Sequence, residues 1–228
     1  MTLRARHSNS ILKRLTRGDF NAISAELKPV NLTRGTVLFE PDQPETHIYF
    51  PIDAVISFMG DVGEGGSIEV WAVGNEGVAG FAGILGMTKP FRAVVQVSGS
   101  ALMGRASAFR PCFQKCTSFH NAMVRYFYYL LAQISYLGIC NNRHSVEQRF
   151  GRWLLMMHDR SGRKDLTFTQ DAIAAVLGTR RATISVAAAA LQVGGLIRYT
   201  PGKITIRSRK ALEKAACHCY NLINSYQN

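Results

Sequence analysis

Two groups of thiol and imidazole side chains have spacings that suit metal, redox or nucleophilic chemistry. Cys112 and Cys116 lie one helical turn apart with His120 a turn later, and a second group, Cys217-His-Cys, lies near the C-terminus. Thiolate and imidazole are common zinc ligands, and a thiolate is also a nucleophile. Thiol catalysis further needs an oxyanion loop and an acid that orients the histidine, and we identify neither in the sequence. We therefore expect partly buried thiols, no metal site and no enzyme.

The cysteine count also bears on location. Five cysteines are an odd number, and a chain of 228 residues with 47% apolar content can bury a core without disulfides. Reduced thiols fit the cytoplasm. No uninterrupted apolar run reaches about 18 residues, and no apolar stretch follows the charges of residues 1–8. We expect a cytoplasmic protein that neither crosses nor binds a membrane.

The positive charge is concentrated in the C-terminal third. Residues 141–214 hold 14 lysines and arginines against five acidic residues, whereas residues 1–140 hold 13 against 10. A localised positive surface attracts polyphosphates, because each neutralised phosphate releases condensed counterions. An anionic membrane surface would also accept this charge, and a solvated basic face kept for solubility is the other alternative.

Within this basic region, residues 169–186 have the layout of a helix-turn-helix. Thr169 can cap the first helix, and Gly178 stands where the chain must turn. Ala174 is small where the second helix would cross closely. The inner faces of the two helices are predicted at Ile173, Val176, Leu177, Ile184, Ala187 and Leu191.

A wing follows the second helix. Two short β runs, Leu196–Tyr199 and Lys203–Ile206, are joined by a Pro-Gly turn. Arg198 and Lys203 flank its tip, where they can lie against a phosphate backbone.

The N-terminal half has a different texture. From Gly35 to about Gly104, short β-rich runs alternate with glycines, a pattern typical of a barrel or sandwich. Several of these glycines, Gly65 among them, are predicted turns. Residues 10–27 predict a short helical lead-in.

A long helix is predicted after Pro111. Its apolar residues recur at alternating steps of four and three, as in the seam of a coiled coil. The alternative is a helix that packs on its own domain. The predicted dimer seam of the long helix comprises Met123, Phe127, Leu130, Ile134 and Leu137.

A second helix is predicted from Ser145 to His158, with a stop at Ser161-Gly162.

A glycine-punctuated β-roll, a long helix and a C-terminal winged helix occur in this order in the cyclic-AMP-receptor and fumarate-nitrate-reductase regulators, the Crp/Fnr family. The sequence resembles that family over nearly its whole length. The resemblance implies a homodimeric transcription regulator on a two-fold related site of double-stranded DNA, with RNA polymerase as a further candidate partner. It also implies that the second helix enters the major groove.

By position, Arg181 matches the family's principal base-reading arginine, whose guanidinium can donate two hydrogen bonds to guanine. Ala182 and Val186 stand where the family often has a glutamate and a second arginine, so the operator of the cyclic-AMP receptor is not expected. Further contacts to phosphates or bases are predicted at Thr169, Gln170, Arg180, Thr183 and Ser185.

The sensor half departs further from the family. Arg92 and Ala93 match part of the cassette that holds a cyclic nucleotide, but no glutamate follows a glycine where the ribose would lie. Losing such an acceptor costs on the order of 1–3 kcal/mol. Arg92 is therefore either part of an effector pocket or a structural ion-pair partner. No cysteine precedes Cys112, which argues against the N-terminal iron-sulfur cluster of the family's oxygen-responsive branch.

These observations predict an α+β fold with three parts. A cyclic-nucleotide-binding-like β-roll with an N-terminal helix occupies residues 1–111, a dimerisation helix residues 112–145, and a winged helix-turn-helix residues 146–228. The predicted function is DNA-binding transcription regulation, with an unidentified signal or none at the β-roll and no evident cofactor. The alternative is a cyclic-nucleotide-responsive binding module whose helix-turn-helix binds a protein.

Overall fold

A computed structural model describes residues 8–63 and 66–227. The first seven residues of the predicted sensor domain, the predicted turn at Gly65 and the terminal Asn228 lie outside the described residues. The chain divides into two compact units, residues 1–58 with 72–130 and residues 59–71 with 131–228.

The first unit begins with two short helices, α1 (Ser10–Lys13) and α2 (Arg17–Ser24). The Thr16 side chain accepts a hydrogen bond from the Asp19 amide at 3.2 Å and caps α2. The helical lead-in predicted over residues 10–27 is present as two helices, because the backbone leaves the helical region at Thr16, where ψ is 161°.

Among the described residues, seven strands follow in the N-terminal half, and residues 59–71, which include the end of one strand and the start of the next, belong to the second unit. The strands form a three-stranded antiparallel sheet in the order β1-β7-β3 and a four-stranded sheet in the order β2-β6-β4-β5. The β-rich runs predicted after Gly35, which begin at Thr36, Ile48, Ala54, Ile68 and Ala93, are confirmed as strands β2 to β6, whereas the sequence pattern does not predict β1 and β7. The bounds are β1 (Lys28–Leu32), β2 (Val37–Phe39), β3 (His47–Pro51), β4 (Val55–Asp61), β5 (Ser67–Val73), β6 (Arg92–Val97) and β7 (Gly99–Arg105).

A short helix, α3 (Phe81–Leu85), packs closely on β3. Two glycines permit this approach. Gly80 has a φ of +92°, and a Cβ at Gly83 would lie 1.8 Å from the carbonyl oxygen of Glu45.

Two helices lead out of the sheets. Helix α4 (Ala106–Lys115) ends at Cys116, whose extended backbone separates it from the long helix α5 (Thr117–Arg143). The predicted long helix is thus confirmed, although Pro111 and Cys112 lie in the preceding shorter helix.

The second unit is built on α6 (Val146–Ser161). Ser145 and Gln148 form a capping box at its start, and Gly162 ends it with a φ of +63°. The helix predicted from Ser145 is confirmed. The remaining elements are β8 (Asp165–Thr167), α7 (Gln170–Leu177), α8 (Arg181–Val193), β9 (Ile197–Thr200), β10 (Lys203–Ile206), α9 (Arg209–Ala215) and α10 (Cys219–Ser225).

The three strands of this unit form a sheet in the order β8-β10-β9. The predicted α+β fold, with N-terminal sheets, a long helix and a C-terminal helix-turn-helix, is confirmed.

Among the described residues, no single helix has the length and hydropathy to span a membrane. Helices α7 and α8 meet that test only as a pair, and they are bent by 105° at their junction.

Candidate nucleic-acid interface

The turn between α7 and α8 is fixed by local chemistry. The Thr169 hydroxyl accepts a hydrogen bond from the Ala172 amide at 3.2 Å, which caps α7 as predicted. At the other end, Gly178 adopts the left-handed conformation, with φ 59° and ψ 47°. A Cβ at Gly178 would lie only 2.4 Å from Cδ1 of Ile68. Glycine is therefore favoured here by backbone conformation, and a Cβ would also make the end of the Ile68 side chain shift.

Helix α6 anchors both ends of α7. The Trp153 ring packs on Phe168, just before α7, with 4.7 Å between ring centroids. The buried guanidinium of Arg149 donates a hydrogen bond to the carbonyl oxygen of Leu177, the last residue of α7. A cation is favourable at this end of a helix, where carbonyl groups lack intrahelical partners. The orientation of α7 thus depends on α6.

The inner faces of α7 and α8 are buried as predicted. Ile173 and Ile184 have no exposed surface, and Ala174 is 6% exposed where the helices meet. This packing turns the opposite face of α8 to solvent.

The solvent-facing side of α8 carries Arg181 at its first position, with Thr183 and Ser185 further along. Arg180 is the exposed N-cap residue of α8. One Arg181 guanidinium nitrogen lies 3.8 Å from a carboxylate oxygen of Asp171 in α7, and both side chains are more than 60% exposed.

The rest of this outer face is apolar or small. Ala182 and Ala189 are exposed, Val186 is 71% exposed, and Val193 is 90% exposed at the end of the helix. The positions that often carry a glutamate and a second arginine in the resembled family therefore present methyl groups here.

The wing is formed by β9 and β10, with Thr200 paired to Lys203. The turn between them contains Gly202 with a φ of +78°, as a Pro-Gly turn requires. Arg198 is exposed on β9. The Lys203 ammonium lies 2.8 Å from a carboxylate oxygen of Asp165, and hydrogen bonds from Lys203 and Thr205 lower the pKa of Asp165.

Some of the basic residues in this region face inward. Arg149, Arg152 and Arg160 are at most 8% exposed, and Arg160 donates to the Gln133 side chain at 2.9 Å. These three cations lie inside the fold, so the charge count of the sequence overstates the basic groups available to a ligand.

A further cation joins α9 to α6. The Arg209 guanidinium donates to both carboxylate oxygens of Asp159, at 2.5 and 3.2 Å, and the Tyr220 hydroxyl donates to the same carboxylate at 2.5 Å. Burial raises the pKa of Asp159, but the hydrogen bonds from Arg209 and Tyr220 outweigh burial and the net pKa is lowered.

In the sensor half, the structure places Arg92 in an ion pair. Its Nε lies 2.9 Å from a Glu40 carboxylate oxygen, with both side chains about half exposed. Ala93 is fully buried in β6. The geometry favours the ion-pair interpretation of Arg92, and a contact of either residue with an effector stays a prediction.

The predicted dimer seam lies mostly inward. Met123 and Leu137 are buried within the chain, and Phe127 packs against Phe81 with 4.2 Å between centroids. Leu130 and Ile134 are half-buried. This placement matches a helix packed on its own chain. The exposed apolar residues of α5 lie on the neighbouring face, at Val124, Tyr128, Leu131 and Ile139.

The two thiol groups have different surroundings. His120 contacts the Phe113 carbonyl oxygen at 3.2 Å, and burial raises the pKa of Cys112. In contrast, Cys217 and Cys219 meet Cys140 and His144, with all four ligand atoms within 4.8 Å of one another. The expectation of no metal site is therefore not confirmed at this second group. The sequence does not predict the cluster, because its spacing gives no sign that Cys140 and His144 lie beside Cys217 and Cys219.

Residues 148–215, from within α6 to the end of α9, match the family of Crp-like helix-turn-helix domains. The C-terminal domain is therefore similar to Crp-like helix-turn-helix domains. No curated protein matches the chain. Solved structures match over most of its length. FixK2 from Bradyrhizobium japonicum is 15% identical with a TM-score of 0.71, covering 84% of this chain and 98% of its own.

Two regulators from Thermus thermophilus are also similar. TTHB099, a CRP-family transcriptional regulator, is 16% identical with a TM-score of 0.67, covering 83% of this chain and 96% of its own. TTHA1359, of the CRP/FNR family, is 19% identical with the same TM-score, covering 83% and 98%. The predicted Crp/Fnr resemblance is confirmed, and the chain has the fold of these transcription regulators.

Proposed function

We propose that the protein regulates transcription by binding, as a homodimer, a two-fold related site in double-stranded DNA. The exposed face of α8 carries this proposal, because a Crp-like helix-turn-helix presents Arg181 and hydroxyl side chains there and leaves them open to a groove. In the motif's known docking geometry, half-sites lie about one helical turn, or roughly 34 Å, apart.

Two kinds of DNA contact are proposed. Arg181 reads a guanine through two donors, which is the pairing an arginine makes in the major groove. Further contacts, to phosphates or to other bases, come from Thr169, Gln170, Arg180, Thr183 and Ser185. Arg198 and Lys203 on the wing contact phosphates.

The two kinds of contact can be separated by a pair of variants. A binding site is first selected from random DNA, and affinity is then measured by fluorescence anisotropy over a range of salt concentrations. Arg181→Ala should cost roughly 1–3 kcal/mol and relax preference at one base pair. Lys203→Ala, the matched control, should weaken all sequences alike and reduce the salt slope by about 1. Uniform weakening by Arg181→Ala would reassign Arg181 to a phosphate.

The homodimer is proposed to form through the exposed face of α5. Val124, Tyr128 and Leu131 follow the four-three spacing of a coiled-coil seam. Ser135 and Gly138 continue it, and a Cβ at Gly138 would meet nothing within 4 Å. Small side chains shorten the distance at which two helices can pack.

Light scattering on the purified chain tests this interface. Leu131→Glu places a charge in the seam and should yield a monomer that binds the palindromic site more weakly. Val62→Glu changes an equally exposed residue outside α5 and should remain dimeric. A monomeric wild type, or a footprint covering a single half-site, would contradict the homodimer.

The β-roll is proposed to respond to a signal other than a cyclic nucleotide, or to act as a scaffold. The ion pair between Arg92 and Glu40 supports this, since it occupies the one cassette residue that could neutralise a cyclic phosphate. Calorimetry with cyclic AMP and cyclic GMP should show no binding, and saturable heat would restore the alternative function. Contact with RNA polymerase, a cytoplasmic location and the three domain boundaries stay predictions from the sequence.

A further inference from the structure

The second unit contains a compact group of three thiols and one imidazole, which we call the Cys₃His cluster: Cys140, His144, Cys217 and Cys219. Cys140 and His144 lie one turn apart at the end of α5, where the His144 amide still donates to the Cys140 carbonyl at 3.1 Å. Cys217 and Cys219 lie on either side of His218, between α9 and the first turn of α10. Two distant parts of the sequence therefore each supply two ligands.

The spacing of the ligand atoms suits one tetrahedral metal ion. All four atoms lie within 4.8 Å of one another. Cys140 Sγ is 3.3 Å from Cys217 Sγ, and Cys219 Sγ is 3.7 Å from His144 Nδ1. A tetrahedral zinc with Zn–S bonds near 2.3 Å separates its ligand atoms by about 3.8 Å. The cluster therefore needs only small side-chain adjustments to enclose an ion.

Burial makes the cluster a closed site. Cys140 and Cys219 have no exposed surface and Cys217 has 2%, while His144 is half-buried. A site with four protein ligands and no open position is structural, since catalytic zinc keeps one position for water.

The charge beside the cluster supplies an independent observation. Arg152 is 3% exposed, its charge acts on the Cys140 thiol, and one guanidinium nitrogen contacts the Met156 sulfur at 3.2 Å. Among the described residues, its Nε has no hydrogen-bond partner and no carboxylate pairs with it. A buried cation without a counter-charge is costly.

A bound metal would resolve this imbalance. Three thiolates and one neutral imidazole around a divalent ion carry a net charge of −1, opposite to that of Arg152. Three neutral thiols would leave the guanidinium uncompensated, and so would a disulfide. One Cys140 thiolate would compensate it but would give Cys219 and His144 no role, whereas a metal–thiolate complex accounts for the arginine and for all four side chains.

We propose that Cys140, His144, Cys217 and Cys219 bind one divalent transition-metal ion, zinc by the nature of the donors. Thiolate and imidazole donors favour zinc over the hard cations magnesium and calcium. Binding releases the three thiol protons and forms three metal–sulfur bonds and one metal–nitrogen bond, with no change of oxidation state. The ion would fasten the segment between α9 and α10 to the end of α5.

Cobalt titration of the full chain tests the proposal. The protein is purified under reducing conditions, stripped of metal, and titrated with Co²⁺ alone. We expect one equivalent per chain, visible absorption typical of tetrahedral cobalt, a thiolate charge-transfer band, and displacement of both by Zn²⁺. The proposal would be overturned if no saturable tetrahedral absorption appears. It would also be overturned if mass spectrometry finds a Cys140–Cys217 disulfide in protein purified in the presence of a reductant.

Variants locate the site. Cys219→Ser should lower cobalt affinity by more than about tenfold, a loss that removal of even an outer-shell partner can produce. Cys116→Ser changes a thiol outside the cluster and should bind as the wild type does. Equal binding by Cys219→Ser and wild type would place the metal elsewhere.

A ligand replacement keeps the test decisive if Cys219→Ser fails to fold. His144→Cys converts the donor set to four thiolates, so it should retain one tetrahedral cobalt and increase the thiolate charge-transfer intensity by about a third. An unchanged intensity would show that residue 144 does not bind the ion, and the proposal would fail.

Discussion

A guanidinium nitrogen of Arg181, at the start of α8, lies 3.8 Å from a carboxylate oxygen of Asp171, in the first turn of α7. The proposed base-reading arginine therefore already has an anionic neighbour in the free protein. Both side chains are well exposed, and an exposed ion pair of this kind contributes about 0–1 kcal/mol. The pair can hold Arg181 near its reading position and still release it to DNA.

Replacing Asp171 should change affinity without changing the preferred sequence. Asp171→Asn removes a negative charge beside the proposed interface, so binding at low salt should strengthen severalfold on every DNA sequence, and less at high salt, where exposed charges are screened. Anisotropy with the selected site and with a scrambled site measures both effects. Weaker binding confined to the selected site would show instead that Asp171 orients Arg181 for base reading.

Much of this interface could be predicted from local sequence. The cap at Thr169 depends on a side-chain hydroxyl, and the turns at Gly178 and Gly202 depend on a positive φ that favours glycine, so a single sequence reveals them. Strands β1 and β7 were missed because proline, glycine and serine interrupt their β pattern. They form because tertiary pairing, such as Val30 with Ala101, outweighs propensity.

The long helix and the Cys₃His cluster show a second limit. Helical periodicity predicts an apolar stripe on α5 but does not tell which of two neighbouring apolar faces packs inward, so it gives no reason to prefer Leu131 to Met123 for the seam. The cluster escaped prediction because Cys140 and Cys217 are 77 positions apart. Only the folded chain brings them together.

Val186 should recognise a thymine methyl group. It is 71% exposed on the outer face of α8, and apolar side chains there distinguish thymine by contact with its methyl. Val186→Ser should lower affinity for the selected site by roughly 1 kcal/mol, the scale of burying one or two methyl groups. The control replaces each thymine of the selected site in turn by deoxyuridine, which lacks the methyl group. At the one position that Val186 contacts, wild type and Val186→Ser should bind the substituted site with equal affinity. If Val186→Ser binds every substituted site more weakly than wild type, by the full difference seen on the selected site, Val186 does not recognise a thymine.

Gly178→Ala should destabilise the second unit. A left-handed conformation costs alanine roughly 1–2 kcal/mol, and the added Cβ would also lie 2.4 Å from Ile68. Gly162→Ala is the matched control, because Gly162 has a similar φ of +63° with nothing within 4 Å of its Cβ position. Urea denaturation should show a larger loss for Gly178→Ala, and Ile68→Ala in the same chain should reduce the difference. Equal losses for the two glycine variants would show that Ile68 yields without cost.

The carboxylate of Asp159 should make stability depend on pH in the acid range. Its pKa is lowered in the folded chain: burial raises it, but hydrogen bonds from Arg209 and Tyr220 outweigh that effect. A group with a lowered folded pKa contributes stability above its unfolded pKa, near 3.9, and that contribution is lost as pH falls through the folded value. Asp159→Asn should therefore be less stable than wild type at neutral pH, with the difference shrinking below about pH 4. Tyr220→Phe removes one of the hydrogen bonds that lower the pKa of Asp159. The acid unfolding midpoint of this variant should therefore lie at a slightly higher pH than that of the wild type. A difference between Asp159→Asn and wild type that stays constant from neutral to acid pH would mean that the network acts through packing and not through charge.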